Sequence, residues 1–449
     1  VTKIPRFNFD KFPGASDRLT TQMKSVGEVM SIARTFPESL LKAVRSMEHG
    51  EVGFSPKLIV PEDLAARAES ARDELLEFFR PHLMKPTPQR LWYVMDAMRA
   101  GITVDEIHQL SDYDPWFLGQ MQRFIPVERA LIEHQKSGQP PSALPQGLLL
   151  AAKRLGFGDE DIAARLGCEA GEVAAIRQQR DIKPVYKQVD TCAAEFESVT
   201  SYFYSSYENG ENEAERSDRK TVMILGGGPN RIGQGIEFDY CAVHASIALR
   251  EQGWRTIMVN CNPETVSTDY DISDRLYFEP LTYETVMAII EHEKPDGVIL
   301  QFGGQTPLKL AHALYEAGVP VLGTAADAID RTEDRKLFNQ IVNKLALLQP
   351  EAGTATEITE AREIVARLGY PVLVRPSYVL GGQAMVIVNA DSELEAAFER
   401  ARIASANAPV LIDKFLGDAI EVDADCISDG EQAVIGGIME HIEEAAVHS

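Results

Sequence analysis

Thr221-Val222-Met223-Ile224-Leu225-Gly226-Gly227-Gly228 decides the reading of the fold. It is a short apolar run entering a glycine cluster, the pattern of a strand that ends in a tight turn. Downstream, a helix covers 239–252. A second strand, Thr256 to Val259, stops at Asn260-Cys261-Asn262-Pro263. Helical spacing returns at 282–292. A third strand, Gly297 to Gln301, stops at Gly303-Gly304, and a helix over 306–317 leads to a fourth, Val319 to Leu322. Strand–helix alternation with turn residues at the strand C-termini predicts a parallel, doubly wound sheet. Ligands of such sheets sit beyond the carboxyl ends of the strands.

Upstream, residues 61–210 read as helical, with no strand alternation and no catalytic cluster. Thr103-Val104-Asp105-Glu106 is a capping box, and Gly167 closes a helix that begins near Gly158-Asp159-Glu160-Asp161. An all-helical packing module is expected. Residues 1–60 hold too few elements for a core and read as the tail of a domain. Residues 208–219 are polar and serve as the linker. From about 330 the order changes. Helices at 333–345, 357–368 and 391–403 are interleaved with strands near 371–375, 384–389, 410–414, 419–427 and 432–438, an α+β arrangement with hairpins. The fold class is therefore multidomain α/β: a helical domain, a Rossmann-like domain and an α+β domain.

Composition agrees. The chain has 449 residues, 45% hydrophobic and 25% charged, which suits roughly three globular domains. Its net charge of −24, from 44 basic and 68 acidic residues, repels phosphate backbones and argues against nucleic acid. Any anionic substrate must be held by local cations against that field. No apolar window reaches the roughly 18 residues of a membrane span, so no membrane is expected. Five scattered cysteines, with no CxxC pair, predict neither a zinc site nor a disulfide framework and fit a reducing, cytoplasmic compartment. The opening Val1-Thr2-Lys3-Ile4-Pro5 lacks an initiator Met, and Glu443 to Ser449 carries no stop signal, so sequence is expected on both sides.

Five constellations could carry chemistry. Gly226 to Gly235 can cradle an anion, but Arg231 stands where a dinucleotide fingerprint needs glycine, and Gln234-Gly235 replaces the P-loop Lys-Ser/Thr. A structural turn is as good a reading. In Arg375-Pro376-Ser377-Tyr378-Val379-Leu380-Gly381-Gly382, a strand ends in Arg and passes a glycine pair. That could be a lid over a polyphosphate, with Arg375 binding bidentately, or an ordinary hairpin loop. Glu421, Asp423 and Asp425 alternate along one strand face and suit ribose hydroxyls or a cation, or are merely solvated. Leu411-Ile412-Asp413-Lys414-Phe415-Leu416 resembles a hinge segment that holds adenine. Arg335 opens a helix and by itself is a solvated charge. Met439-Glu440-His441-Ile442-Glu443-Glu444, with His448, matches no zinc motif.

Taken together these segments resemble an ATP-grasp module, and specifically the carbamoyl phosphate synthetase large subunit. Leu225 to Asp239, Val259 to Asp269, Phe302 to Pro307, Arg375 to Gly382 and Ile438 to Glu443 are similar to its second half. Arg6-Phe7-Asn8-Phe9 and Gln22 to Glu28 resemble the close of its first half, and Val189 to Ala193 the end of its helical oligomerisation domain. The resemblance implies four parts: 1–60, the tail of the carboxyphosphate domain; 61–213, the oligomerisation domain; 214–330, the pre-ATP-grasp domain; and 331–449, a truncated ATP-grasp domain. It implies an ATP-dependent ligase that makes carbamoyl phosphate from bicarbonate, ammonia and two ATP. A separate glutaminase small subunit supplies the ammonia. The second half phosphorylates carbamate. Magnesium or manganese would serve as cofactor, with potassium allowed.

Carried over residue by residue, Arg335 and Arg375 neutralise ATP phosphates and Gly381 and Gly382 cover them. Lys414 and Leu416 flank adenine, and Glu421 holds the ribose. Ala446, Val447, His448 and Ser449 line the nucleotide pocket, with Ala446 where the family usually has Gly. The metal ligands are expected beyond Ser449, so this chain alone is expected to make no carbamoyl phosphate. The competing readings are another ATP-grasp carboxylate ligase, such as a biotin carboxylase-like protein, and a non-catalytic oligomerisation scaffold.

Overall fold

The structure is a computed structural model. It describes all residues except 13, 51, 63, 65–69, 229–231, 233, 263, 377–384, 405–408, 418 and 443–449, and also omits the side chains of Asp10, Arg335 and Lys336. The chain divides into two compact units, Val1–Arg331 and Thr332–Ser449.

The first unit opens with an antiparallel pair, β1 (Thr2–Arg6) and β2 (Gly27–Ser31), followed by α1 (Phe36–Ser46). A series of helices follows: α2 (Arg72–Met84), α3 (Arg90–Arg99), α4 (Val104–Ser111), α5 (Pro115–Gln122), α6 (Phe124–Lys136), α7 (Gln146–Arg154), α8 (Asp159–Leu166) and α9 (Ala170–Gln179). Their apolar faces share one core with Val29 and α1, built from Leu41, Leu75, Phe79, Met95, Phe124, Leu149 and Ile162. The capping box at α4 is formed as its sequence implies: Thr103 Oγ1 accepts from the Glu106 amide, and the Glu106 carboxylate accepts from the Thr103 amide at 2.8 Å.

A six-stranded sheet follows, in the order β3-β4-β7-β6-β5-β8. Its strands are β3 (Val185–Gln188), β4 (Tyr202–Ser206), β5 (Thr221–Leu225), β6 (Arg255–Asn260), β7 (Arg275–Phe278) and β8 (Gly297–Ile299). All neighbours pair in parallel except β3 with β4. Met223, Leu225, Ile257 and Val259 enter one core; Val222, Ile224 and Met258 enter another on the opposite face. Burial on both faces is why β5 reads as an unbroken apolar run. Helix α10 (Ile236–Glu251) lies on one face. On the other are α11 (Tyr283–Glu293) and α13 (Ala311–Glu316), with the short α12 (Gln305–Leu308) before α13 and α14 (Ala326–Glu333) after it.

The sequence reading of this unit needs five corrections. Residues 61–210 do contain strands, β3 and β4, whose Tyr-rich runs Val185-Tyr186-Lys187-Gln188 and Tyr202-Phe203-Tyr204 join the sheet edge. Strand β7 also went unread; polar Ser273 and Asp274 precede it, and its own first residue is Arg275. The expected linker is partly docked: the Glu213 amide donates to Tyr186 O at 2.8 Å, Asn212 Oδ1 accepts from the Tyr186 amide, and Ala214 is buried. The expected fourth strand at 319–322 makes only a bridge, Val298 to Val321, and the expected helix at 306–317 is two short ones.

The second unit begins with α15 (Arg335–Lys344), capped by Asp334, whose Oδ1 accepts from the Leu337 amide at 2.8 Å. A four-stranded antiparallel sheet, order β11-β10-β12-β9, contains β9 (Ala352–Ala355), β10 (Val372–Pro376), β11 (Val386–Val388) and β12 (Val410–Lys414). Helices α16 (Ile358–Leu368) and α17 (Asp391–Ala404) share a core with Val372, Val374, Val410 and Ile412. β9 went unread because three of its four residues, Ala352, Gly353 and Ala355, are types depleted in strands. Gly353 is required there: a Cβ would stand 2.8 Å from the Ile364 side chain of α16. A separate hairpin, β13 (Val422–Ser428) with β14 (Ala433–Glu440), is exposed along both strands.

Candidate functional site

The helix-free face of the second unit's sheet is set by register. Leu373 pairs with Asp413 and Arg375 with Leu411. Val372, Val374 and Ile412 point into the core with the helices, so alternation sends Arg375 and Asp413 to the opposite face as diagonal neighbours. There Arg375 Nε donates to Asp413 Oδ2 at 2.6 Å. The pair is partly sheltered, with side chains 34% and 16% exposed. Among the described residues, neither Nη nitrogen has a hydrogen-bond partner, so the guanidinium keeps an edge with which to bind an oxyanion bidentately. Asp413 fixes the direction in which that edge faces.

The other expected site residues are not drawn together by any described contact. Lys414 Nζ donates to Gly369 O and Tyr370 O, each at 3.0 Å, and so braces the turn between α16 and β10. Leu416 is exposed. Glu421 is exposed too, and its carbonyl accepts from the His441 amide at 2.9 Å. Arg335 is the first residue of α15, as expected. Gly381, Gly382, Ala446, Val447, His448 and Ser449 lie outside the described residues. The stripe Glu421, Asp423, Asp425 is solvated, because neither face of its hairpin is covered. Within the last constellation, His441 Nε2 meets Asp423 Oδ2 at 2.8 Å. Among the described residues no group of three or more His, Cys, Asp or Glu could hold a metal, and no cysteine shows a disulfide.

After β5, Gly227 and Gly228 are closely packed, with no room for a side chain. A Cβ on Gly227 would stand 2.3 Å from Gly303 O, and one on Gly228 would stand 2.7 Å from Asn262 Nδ2. β5 and β8 are neighbours whose onward connections leave in opposite directions, so their carboxyl ends flank the topological switch point. At that point the described loops touch.

Sequence reasoning missed a buried ionic network in the first unit. Lys153 Nζ contacts Asp159 at 3.1 Å and Glu284 at 2.5 Å. Arg177 Nη2 meets Asp159 at 2.7 Å, and Lys42 Nζ meets Glu279 at 2.9 Å. Burial alone would raise the Glu284 carboxyl, but Lys153, Arg45 and Arg177 hold it below the usual range. No local motif marks these residues. They meet only because α1, α7, α8, α9 and α11 pack, which spacing cannot reveal.

Comparison with known proteins assigns each part. Residues 28–181 match the family model described as "Carbamoyl-phosphate synthetase large chain, oligomerisation domain". Residues 218–331 match "Carbamoyl phosphate synthase preATP-grasp domain", and 334–445 match "Carbamoyl-phosphate synthase L chain, ATP binding domain". The chain belongs to the carbamoyl phosphate synthase large-chain family. The large chain of Vibrio vulnificus (strain CMCP6) is 56% identical over 449 residues, covering 100% of this chain and 40% of its own length. That of Halomonas eurihalina is also 56% identical, with the same coverage. This chain thus spans about 40% of the length of these curated large-chain relatives. A solved biotin carboxylase domain of Hydrogenobacter thermophilus 2-oxoglutarate carboxylase superposes at TM-score 0.40 and 20% identity over 49% of each chain, too loosely to argue from. Among the described residues no helix is long and apolar enough to cross a membrane.

Proposed function

We propose that the chain is part of the large subunit of a cytoplasmic, glutamine-dependent carbamoyl phosphate synthetase, and that residues 214–449 belong to the half that phosphorylates carbamate with ATP. The boundaries proposed are 1–60 for the tail of the carboxyphosphate domain, 61–213 for oligomerisation, 214–330 for the pre-ATP-grasp domain and 331–449 for the ATP-grasp domain. A glutaminase small subunit supplies ammonia, bicarbonate is the carbon source, and copies associate through 61–213.

The observation that carries the reading is Arg375. It sits on the one sheet face that helices leave open, is oriented by Asp413, and among the described residues its two Nη nitrogens have no hydrogen-bond partner. In a protein of net charge −24, that is the arrangement a triphosphate needs. Phosphoryl transfer relies on positioning and charge neutralisation more than on covalent steps. Arg375 and Arg335 would offset phosphate charge, Gly381 and Gly382 would close over it, Lys414 and Leu416 would border adenine, and Glu421 would take the ribose. Ala446, Val447, His448 and Ser449 would complete the nucleotide wall. Magnesium or manganese, when bound, would share the phosphate charge, and potassium is compatible; no described residue is assigned to a metal.

The test is nucleotide stoichiometry on the intact large chain, titrated with a non-hydrolysable ATP analogue. Arg375→Ala should cost one of the two nucleotide sites, with affinity there falling about tenfold to a hundredfold, as for loss of one charged hydrogen bond. Two sites of unchanged affinity would refute the assignment.

A further inference from the structure

A cavity of about 430 Å³ lies in the first unit between α8 and α9 on one side and α11 on the other. Its volume falls in the range of small-molecule sites. α9 contributes Val173 and Ile176 to the helical core, while α11 contributes Val286 and Ile289 to the sheet core, so the cavity lies where two cores meet. Its apolar lining comes from Ala170, Ala174, Tyr283 and Met287.

Two features point to a ligand. First, Tyr186 lines the cavity, is 1% exposed, and its hydroxyl has no hydrogen-bond partner among the described residues. Buried hydroxyls are nearly always paired, and one left alone at a cavity wall is suited to a guest. Second, the charges lining the cavity do not cancel. Arg177 is taken by Asp159, Arg45 faces Glu284 at 3.6 Å, and Lys183 is taken by Asp181 at 2.6 Å. Glu160 and Glu291 also line it as exposed carboxylates; among the described residues neither is in an ion pair, although the Glu291 charge acts on Lys183. Burial and the nearby carboxylates Asp161, Glu284 and Asp159 raise the Glu160 carboxyl, against the pull of Arg45, so a cation beside it would relieve the site.

We propose that this cavity binds a small organic cation, an amine, amidine or guanidine on a short apolar or planar body. Glu160 and Glu291 would hold the cationic group, Ala174, Tyr283 and Met287 would pack on the body, and Tyr186 would pair with a polar atom at the inner end. The inference stands apart from the nucleotide reading, since it uses none of those residues.

The experiment uses benzamidine and its uncharged isostere benzamide as probes, titrated calorimetrically into the whole chain. Benzamidine should bind at least about tenfold more tightly than benzamide, a discrimination of one decade in Kd. Glu160→Gln with Glu291→Gln changes two exposed carboxylates that are in no ion pair among the described residues, and should erase the preference while circular dichroism stays unchanged. Ala174→Trp should fill the cavity and abolish binding. Equal affinity for both probes, no binding of either, or binding that survives Ala174→Trp would overturn the proposal.

Discussion

Glu293 is the sharpest place to test how this fold handles charge. It ends α11, is 2% exposed, and collects three donors from the sheet: Arg255 Nη1 at 2.9 Å, Arg275 Nη1 at 2.5 Å and the Tyr277 hydroxyl at 2.5 Å. Burial pushes its carboxyl up, but the hydrogen bond from Arg255 and the charge of Arg275 prevail, and it sits below the usual value. Glu293→Gln keeps the volume and removes the charge. Hydrogen bonds to charged groups contribute about 1.5–3 kcal/mol each, so three of them give a gross interaction of about 4.5–9 kcal/mol. The carboxylate's own desolvation offsets part of that, and breaking a buried pair from one side costs about 3–5 kcal/mol. We therefore expect Glu293→Gln to lose about 3–5 kcal/mol in urea unfolding at pH 7. Replacing the cluster together, as Arg255→Met, Glu293→Leu and Arg275→Met, should lose less than the single change, because no charge is left stranded. The sign with pH follows. A carboxyl depressed in the folded state stabilises above its ordinary value of 4.5, and the advantage fades as pH falls through the folded value. The gap between wild type and variant should narrow below about pH 4.5. A single-variant loss under about 1 kcal/mol, or a triple variant less stable than the single one, would refute the reasoning.

Gly227→Ala should destabilise the first unit by about 1–3 kcal/mol, read by calorimetric melting, since its Cβ would meet the backbone oxygen of Gly303, which cannot rotate away. Glu106 is held down to about 2, first by its hydrogen bond from Arg72 and then by those from Thr103. Glu106→Gln should therefore lower the melting temperature at pH 7, with the difference shrinking between about pH 4.5 and pH 2; a constant difference across that window would argue against the assignment.

The sequence revealed most where a segment answers to its own local chemistry. β5 is readable because a strand covered on both faces must be apolar throughout, and α4 because its cap closes within four residues. The edge hairpin β3–β4 escaped notice because its pattern is irregular and its partner β7 lies about 70 residues downstream. In the site, Arg375 was legible as a strand-end cation, but its partner Asp413 was not, because that contact depends on the register of two strands separated by a helix. Lys414 shows the converse. It stands in the expected segment, yet its ammonium is engaged by carbonyls that no motif predicts.

Gly227 and Gly303 press against each other at the spot that a doubly wound sheet normally leaves open. A side chain at Gly227 would run into the Gly303 carbonyl, and one at Gly303 into the Leu225 carbonyl, so each loop holds the other to glycine. Neither position can therefore acquire a side chain without moving the other loop's backbone.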